Sequence, residues 1–332
     1  MRKRRIIYVA GLSLLALVGS CRPDRDSLDR IKALDNPWYT IASRPDLLAS
    51  RLNNPMSPRL WGDRPIIAES GAGNVIAVEG GVTKPVITGF VKEQYDSYNI
   101  SAEGITIDPS SGLWIITAAE GPGRVLLFNP STFPTDAGKG REVTLEGAVE
   151  DNPFASVLAE GGRILVVSGG TKTAYQGKFD QVGNPGPLKP VVEVETGLIG
   201  LAVDPRSGDI FGAVFGAGPG TGEIVRWDAT REPATLRTIA SGFTNPVDVA
   251  FTPEGLLLAL EFGEYGSKGS GRVSVVATDG SGSVTPFITG LNNPTGFFIG
   301  ADDTLYLTEF GESANASAGT LISLKLVPAG RR

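Results

Sequence analysis

The 332-residue chain contains no histidine, a single cysteine and two methionines. Without an imidazole it has no side chain that gains and loses a proton near neutrality at its ordinary pKa. A Ser-His-Asp hydrolytic triad is therefore excluded. Zinc, copper and haem sites lose their usual ligand, so none of these cofactors is expected. One cysteine allows no internal disulfide. Beyond the N-terminal segment, no apolar helical periodicity runs for more than a few turns. Clustered basic residues are also missing, which argues against nucleic acid as a partner.

What is present begins with an export signal. Four positive charges in Met1–Arg5 precede a charge-free run from Ile6 to Ser20, which is too short for a spanning helix and right for a signal peptide. Val18-Gly19-Ser20-Cys21 resembles the bacterial lipobox, whose cysteine is lipidated and becomes the mature N-terminus. Residues 1–20 are thus read as a lipoprotein signal and Cys21 as the lipidation site. Residues 21–36 are read as a charged tether and 37–332 as the folded domain. Loss of residues 1–20 leaves 26 basic against 36 acidic side chains, a formal −10. Such a chain meets a membrane through its acyl groups only. Arg22, where an aspartate would favour inner-membrane retention, points to the outer membrane, periplasm or cell surface.

The 44 glycines and 23 prolines separate short apolar runs, the signature of an all-β chain. Two segments align without a gap. Ser241–Gly263 and Thr289–Gly311 each hold an Asn-Pro turn, a β run, a tight turn, a second β run and Glu-Phe-Gly. The residue before the second turn recurs as Glu69, Glu120, Ser168, Val214, Glu261 and Glu309, at intervals of 51, 48, 46, 47 and 48. Third and fourth runs follow, such as Arg272–Val276 and Pro286–Thr289. Six units of four strands predict a six-bladed β-propeller.

The last unit lacks its fourth strand. Asp46–Pro55 matches Pro286–Pro294, so an N-terminal strand is expected to complete the final blade and close the ring. Blade 1, interrupted by Pro58 and Pro65, is expected to be the least regular. Trp114 and Trp227 are read as core, Trp38 and Trp61 as candidates for exposure.

Asn53-Asn54-Pro55, the run Pro65–Val75, Asn245-Pro246 and Leu291–Pro294 together resemble the ScyD/ScyE propeller family, first associated with scytonemin biosynthesis, over roughly residues 46–326. Broader NHL-type, lactonase and quinoprotein propellers share the repeat. The resemblance implies an exported propeller and supplies no catalytic residue. Streptogramin-lyase-like proteins and soluble quinoprotein dehydrogenases use a channel histidine that is lacking here, so PQQ is not expected.

Oxygen chemistry is left. Loops on one face of the ring hold Glu103, Asn152, Asn245, Asp248 and Asn293, and a second ring holds Glu69, Glu120, Glu261 and Glu309. Gathered carboxylates must take up protons or meet a hard cation, and a Ca²⁺-type site is one expectation. The alternative makes Asn-Pro and Glu-Phe-Gly turn-building residues. Two functions follow. A monomeric binding module would present its loops to a protein, glycan or small molecule. A metal-dependent lactonase would use Ala102-Glu103-Gly104, which resembles the Glu-Gly of gluconolactonase-type propellers. That resemblance implies Glu103 as a metal ligand with Asn152 and Asp248 at comparable positions, although Ile105 stands where proline is usual.

Overall fold

The computed structural model describes residues 28–95, 98–119, 123–148, 152–180, 185–311 and 317–329; Cys21 and Glu120 fall outside them. The chain is all-β and forms six four-stranded antiparallel blades. The inner strands of blades 1 to 6 are Pro55–Trp61, Ala102–Ile107, Pro153–Ala159, Gly197–Val203, Pro246–Phe251 and Pro294–Ile299. Each touches the next, and the sixth touches the first, so the six surround one axis. The upper face carries the loops from each outer strand to the next inner strand and from each second strand to the third.

The termini close the ring. Asp46–Leu52 pairs antiparallel with the third strand of blade 6, Leu47 opposite Ile322 and Ala49 opposite Leu321. Ala49 and Leu52 are buried there. No long free edge is left at the seam.

Blades pack face to face through aromatic and branched side chains. Trp114 and Trp227 are fully buried, as their β runs suggested, whereas Trp38 is 41% exposed. Trp61 is half-buried, edge-on to Trp114 at 5.3 Å. Each such large buried side chain contributes roughly 2–3 kcal/mol relative to exposure. Blade 1 has the irregular inner strand that its prolines suggest, its register breaking over Ser57 and Pro58. Pro65 sits within the second strand opposite Leu60, and the disturbance is confined to a bulge between Met56 and Arg59. Ser57 takes the strain there with φ 46°.

The segment expected to be a tether differs from that reading from Leu28 onward. Leu28 and Ile31 are buried in the core between blades 5 and 6. Lys32–Ala33 adds a fifth strand to blade 5, and Tyr39–Ile41 adds one to blade 6. Two apolar residues among charges are enough to dock this strap, because the blade edge supplies the backbone partners.

Candidate functional site at the upper mouth of the channel

Every inner strand opens at the upper face and pairs there with the end of its second strand. Pro55 lies opposite Glu69, Pro153 opposite Ser168, Pro246 opposite Glu261 and Pro294 opposite Glu309. In blade 2 the partner of Ala102 is Ala118, two residues before Glu120. Backbone pairing and not residue type sets the equivalence, so Ala118 and not Glu120 holds this position in blade 2. The register then shifts in every blade. The extra residue in blades 2 to 6 is Glu103, Phe154, Ile199, Val247 and Thr295, in that order. A bulge frees one residue from the ladder and re-aims its side chain. Gly104, beside Glu103, lets the ring close, because a Cβ on it would lie 2.4 Å from the Phe154 carbonyl oxygen.

The second ring of carboxylates builds turns. Glu69 accepts the Asn53 N–H at 3.0 Å, Glu261 the Thr244 N–H at 2.8 Å and Glu309 the Asn292 N–H at 2.8 Å. Ser168 takes the same place in blade 3, accepting from Asn152. A return bond closes each turn, as when the Phe262 N–H donates to the Asn245 carbonyl. Asn54, Asn245 and Asn293 sit before proline with φ of 50°, 53° and 45°, a left-handed conformation that asparagine tolerates better than most residues. The Asn245 amide donates to the Gly263 carbonyl, and the Asn293 amide donates to the carbonyls of Phe262 and Glu264.

Arginines answer two of these glutamates. Glu261 meets Arg272, with Nη2 to Oε2 at 2.9 Å, and Glu309 meets Arg30 of the docked strap. Burial raises the Glu309 pKa against the pull of Arg30. Asp248 is compensated as well. It accepts N–H groups from Val249 at 2.9 Å and from Phe297 of blade 6 at 3.2 Å. Burial lifts its carboxyl to about 6, and the charge of Arg59 holds it from rising further. Arg59 lies 5.7 Å from the Phe298 ring centre, and its own pKa is lowered by burial.

Glu103 is different. It is 1% exposed. One oxygen, Oε1, accepts from the Ser70 hydroxyl at 2.8 Å, and Ser70 in turn accepts the Ser101 N–H at 2.8 Å. The other, Oε2, is buried with no hydrogen-bond partner, and no cation among the described residues pairs with it. Burial pushes the carboxyl up to about 8 despite the Ser70 hydroxyl and the Ser101 N–H, which both pull it down. The same network reaches Asn54, also 1% exposed. Its carbonyl accepts the Ser70 N–H, its amide donates to the Asn99 carbonyl, and its Oδ1 has no partner.

The structure therefore divides the residues singled out from sequence. Glu69, Glu261 and Glu309 hold turns, as do Asn245 and Asn293, while Asp248 is balanced by Arg59. Glu103 retains an unanswered oxygen. Among the described residues no three acidic, histidine or cysteine side chains converge as a metal cage. A hard cation accepts neutral and backbone oxygens too, and the Oδ1 of Asn54 is, like the Oε2 of Glu103, buried without a partner. Asn54, Arg59, Ser70 and Ser101 were missed by sequence reasoning. One signal was available, since Ser70-Gly71 stands where sister units have Phe262-Gly263 and Phe310-Gly311. A cavity lies elsewhere, near the lower edge between blades 4 and 5, and its Arg226 and Arg231 already pair with Asp209 and Asp228.

Comparison with known proteins places the fold. No family model matches the chain, and no curated protein matches it. Among solved structures, a gluconolactonase from Xanthomonas campestris aligns at a TM-score of 0.64 with 15% identity, covering 87% of this chain and 95% of that one. The PQQ-bound aldose sugar dehydrogenase of Streptomyces coelicolor aligns at 0.65 with 13% identity, covering 89% and 100%. A chain of a nidogen–laminin complex aligns at 0.54 with 13% identity, covering 73% and 84%. At such identities the likeness is one of fold. The chain shares the architecture of the gluconolactonase-like and NHL-type six-bladed propellers.

Proposed function

We propose that the protein is an exported, Cys21-lipidated propeller of the ScyD/ScyE kind that opens a lactone ring at the upper mouth of its channel, with Glu103 as the central group. The observation that carries this reading is the Glu103 carboxylate, deeply buried with Oε2 unanswered. A buried carboxylate in that state takes up a proton or a cation. Burial raises its pKa, so without a cation the site favours the proton. Ser70 fixes Oε1 by donating to it, and Ser101 holds Ser70 in place. A bound divalent ion, Ca²⁺ being the expected one, would polarise a lactone carbonyl and acidify a water. The gluconolactonase among the structural neighbours supports this choice over other hydrolytic chemistry.

A lactone panel assayed with and without Ca²⁺, on the parent and on Glu103→Gln, tests it. Turnover in the parent and its loss in the variant are expected; a panel with no turnover in either would overturn the enzymatic reading.

A binding module is the second reading, favoured by the turn-building role of most rim carboxylates, which leaves little catalytic equipment. Its expected signature is saturable binding of a small, oxygen-rich ligand without turnover, weakened in Glu103→Gln.

A further inference from the structure

We infer that the upper face, with the Glu103 site, is turned toward the membrane that holds Cys21, so that its partner is a lipid surface. The inference rests on the lipidation reading and adds an orientation to it. The outer strand of blade 5, Val284–Leu291, climbs to the upper face, where it leads into the Asn292-Asn293-Pro294 turn. The strap runs antiparallel to it, Ala33 opposite Ile288 and Lys32 opposite Thr289. Followed back toward the N-terminus, the strap therefore rises.

It is firmly seated. The Arg30 carbonyl lies where a side chain on Gly290 would be, 2.1 Å from an added Cβ, and the Arg30 guanidinium meets Glu309 on the upper face. Leu28 is 6% exposed. Leu28–Arg30, the first described residues, thus lie at the upper end of the outer strand of blade 5, at the seam with blade 6.

Six residues, 22–27, separate Cys21 from Leu28. The seven Cα–Cα steps from Cys21 to Leu28 span at most about 25 Å. A blade strand of six residues is already about 20 Å long. Holding the lower face against the membrane would need a taut tether laid down the side of the ring, whereas holding the upper face there needs none. Surface composition does not decide the matter, since the exposed Val91 and Tyr265 lie on the upper face and Val82 and Trp38 on the lower. The tether decides it.

The test uses full-length, lipidated protein in vesicles of neutral phospholipid, with the acyl chains on Cys21 first verified by mass spectrometry. Lys268→Cys on the upper face of blade 5 and Ser281→Cys on its lower face each carry a fluorophore, and a headgroup-labelled lipid serves as quencher. Several-fold stronger quenching at 268 than at 281 is expected, and a flexible insertion of about 20 residues after Asp24 is expected to abolish the difference. Equal or reversed quenching in lipidated protein would overturn the orientation while leaving the anchor standing. Absence of acyl chains on Cys21 would overturn the anchor and the orientation with it.

Discussion

The junction of blades 5 and 6 and the junction of blades 1 and 2 are built from one repeat, yet they treat buried charge in opposite ways. At the first, Glu261 and Glu309 are each 1% exposed and each meets an arginine and a turn N–H. At the second, Glu103 is equally buried and meets the Ser70 hydroxyl and the Ser101 N–H but no cation. A carboxylate matched with a cation and a backbone donor serves the fold. One left with a bare oxygen in the interior costs stability, and natural proteins keep such a feature where a ligand uses it.

Breaking the first junction has the largest expected effect. Arg30→Ala leaves Glu309 buried without its cation and is expected to lower unfolding free energy by about 3–4 kcal/mol in denaturant titrations at neutral pH. A loss below 1 kcal/mol would mean that the strap does not neutralise this site.

Relieving the second junction is expected to do the reverse. The Glu103 pKa is raised from 4.5 to about 8 in the folded state. Between those values the folded protein holds the proton more tightly than the unfolded chain. The associated stability is fully present below pH 4.5 and is lost as pH rises through 8. Glu103→Gln, which keeps a neutral group, is expected to stabilise the metal-free protein at pH 9 by about 2–4 kcal/mol and to change little at pH 4. Thermal melts across this range check it. Glu261→Gln is expected to destabilise at neutral pH, because it strips Arg272 of its anionic partner.

Two smaller changes sharpen the contrast. Asn293→Ala loses two side-chain bonds and a residue suited to φ 45°; a loss of about 1–2 kcal/mol is expected in the same titrations. Ser70→Ala removes the hydroxyl that favours ionised Glu103. It is expected to move the pH-dependent loss of stability to higher pH and to cost about 1 kcal/mol at neutral pH.

The fold was legible in the sequence because each blade repeats its turn chemistry. The Asn-Pro turn needs a left-handed residue before a fixed φ, and the second strand needs an acceptor for the turn N–H, so Asn54, Asn245, Asn293, Glu69, Glu261 and Glu309 recur. The displaced last strand was legible for the same reason, through the match of Asp46–Pro55 to Pro286–Pro294. The strap was not. Arg30 reads as one solvated charge among several, and its burial depends on the distant Glu309. The site was half legible. Glu103 stood out through Glu-Gly, but whether a carboxylate is compensated depends on residues from other blades, as the contrast between Arg59 beside Asp248 and Ser70 beside Glu103 shows. Periodic sequence announces the scaffold, and the departures from it, such as Ser70 in place of phenylalanine, mark where something else is held.

Calorimetric titration of Ca²⁺ into chelator-treated protein at pH 7 tests the unanswered Glu103 oxygen most directly. Saturable heat with a rise in melting temperature is expected for the parent, and neither for Glu103→Gln. Equal binding by both proteins, or by neither, would contradict the assignment of Glu103 as the group left open for a ligand.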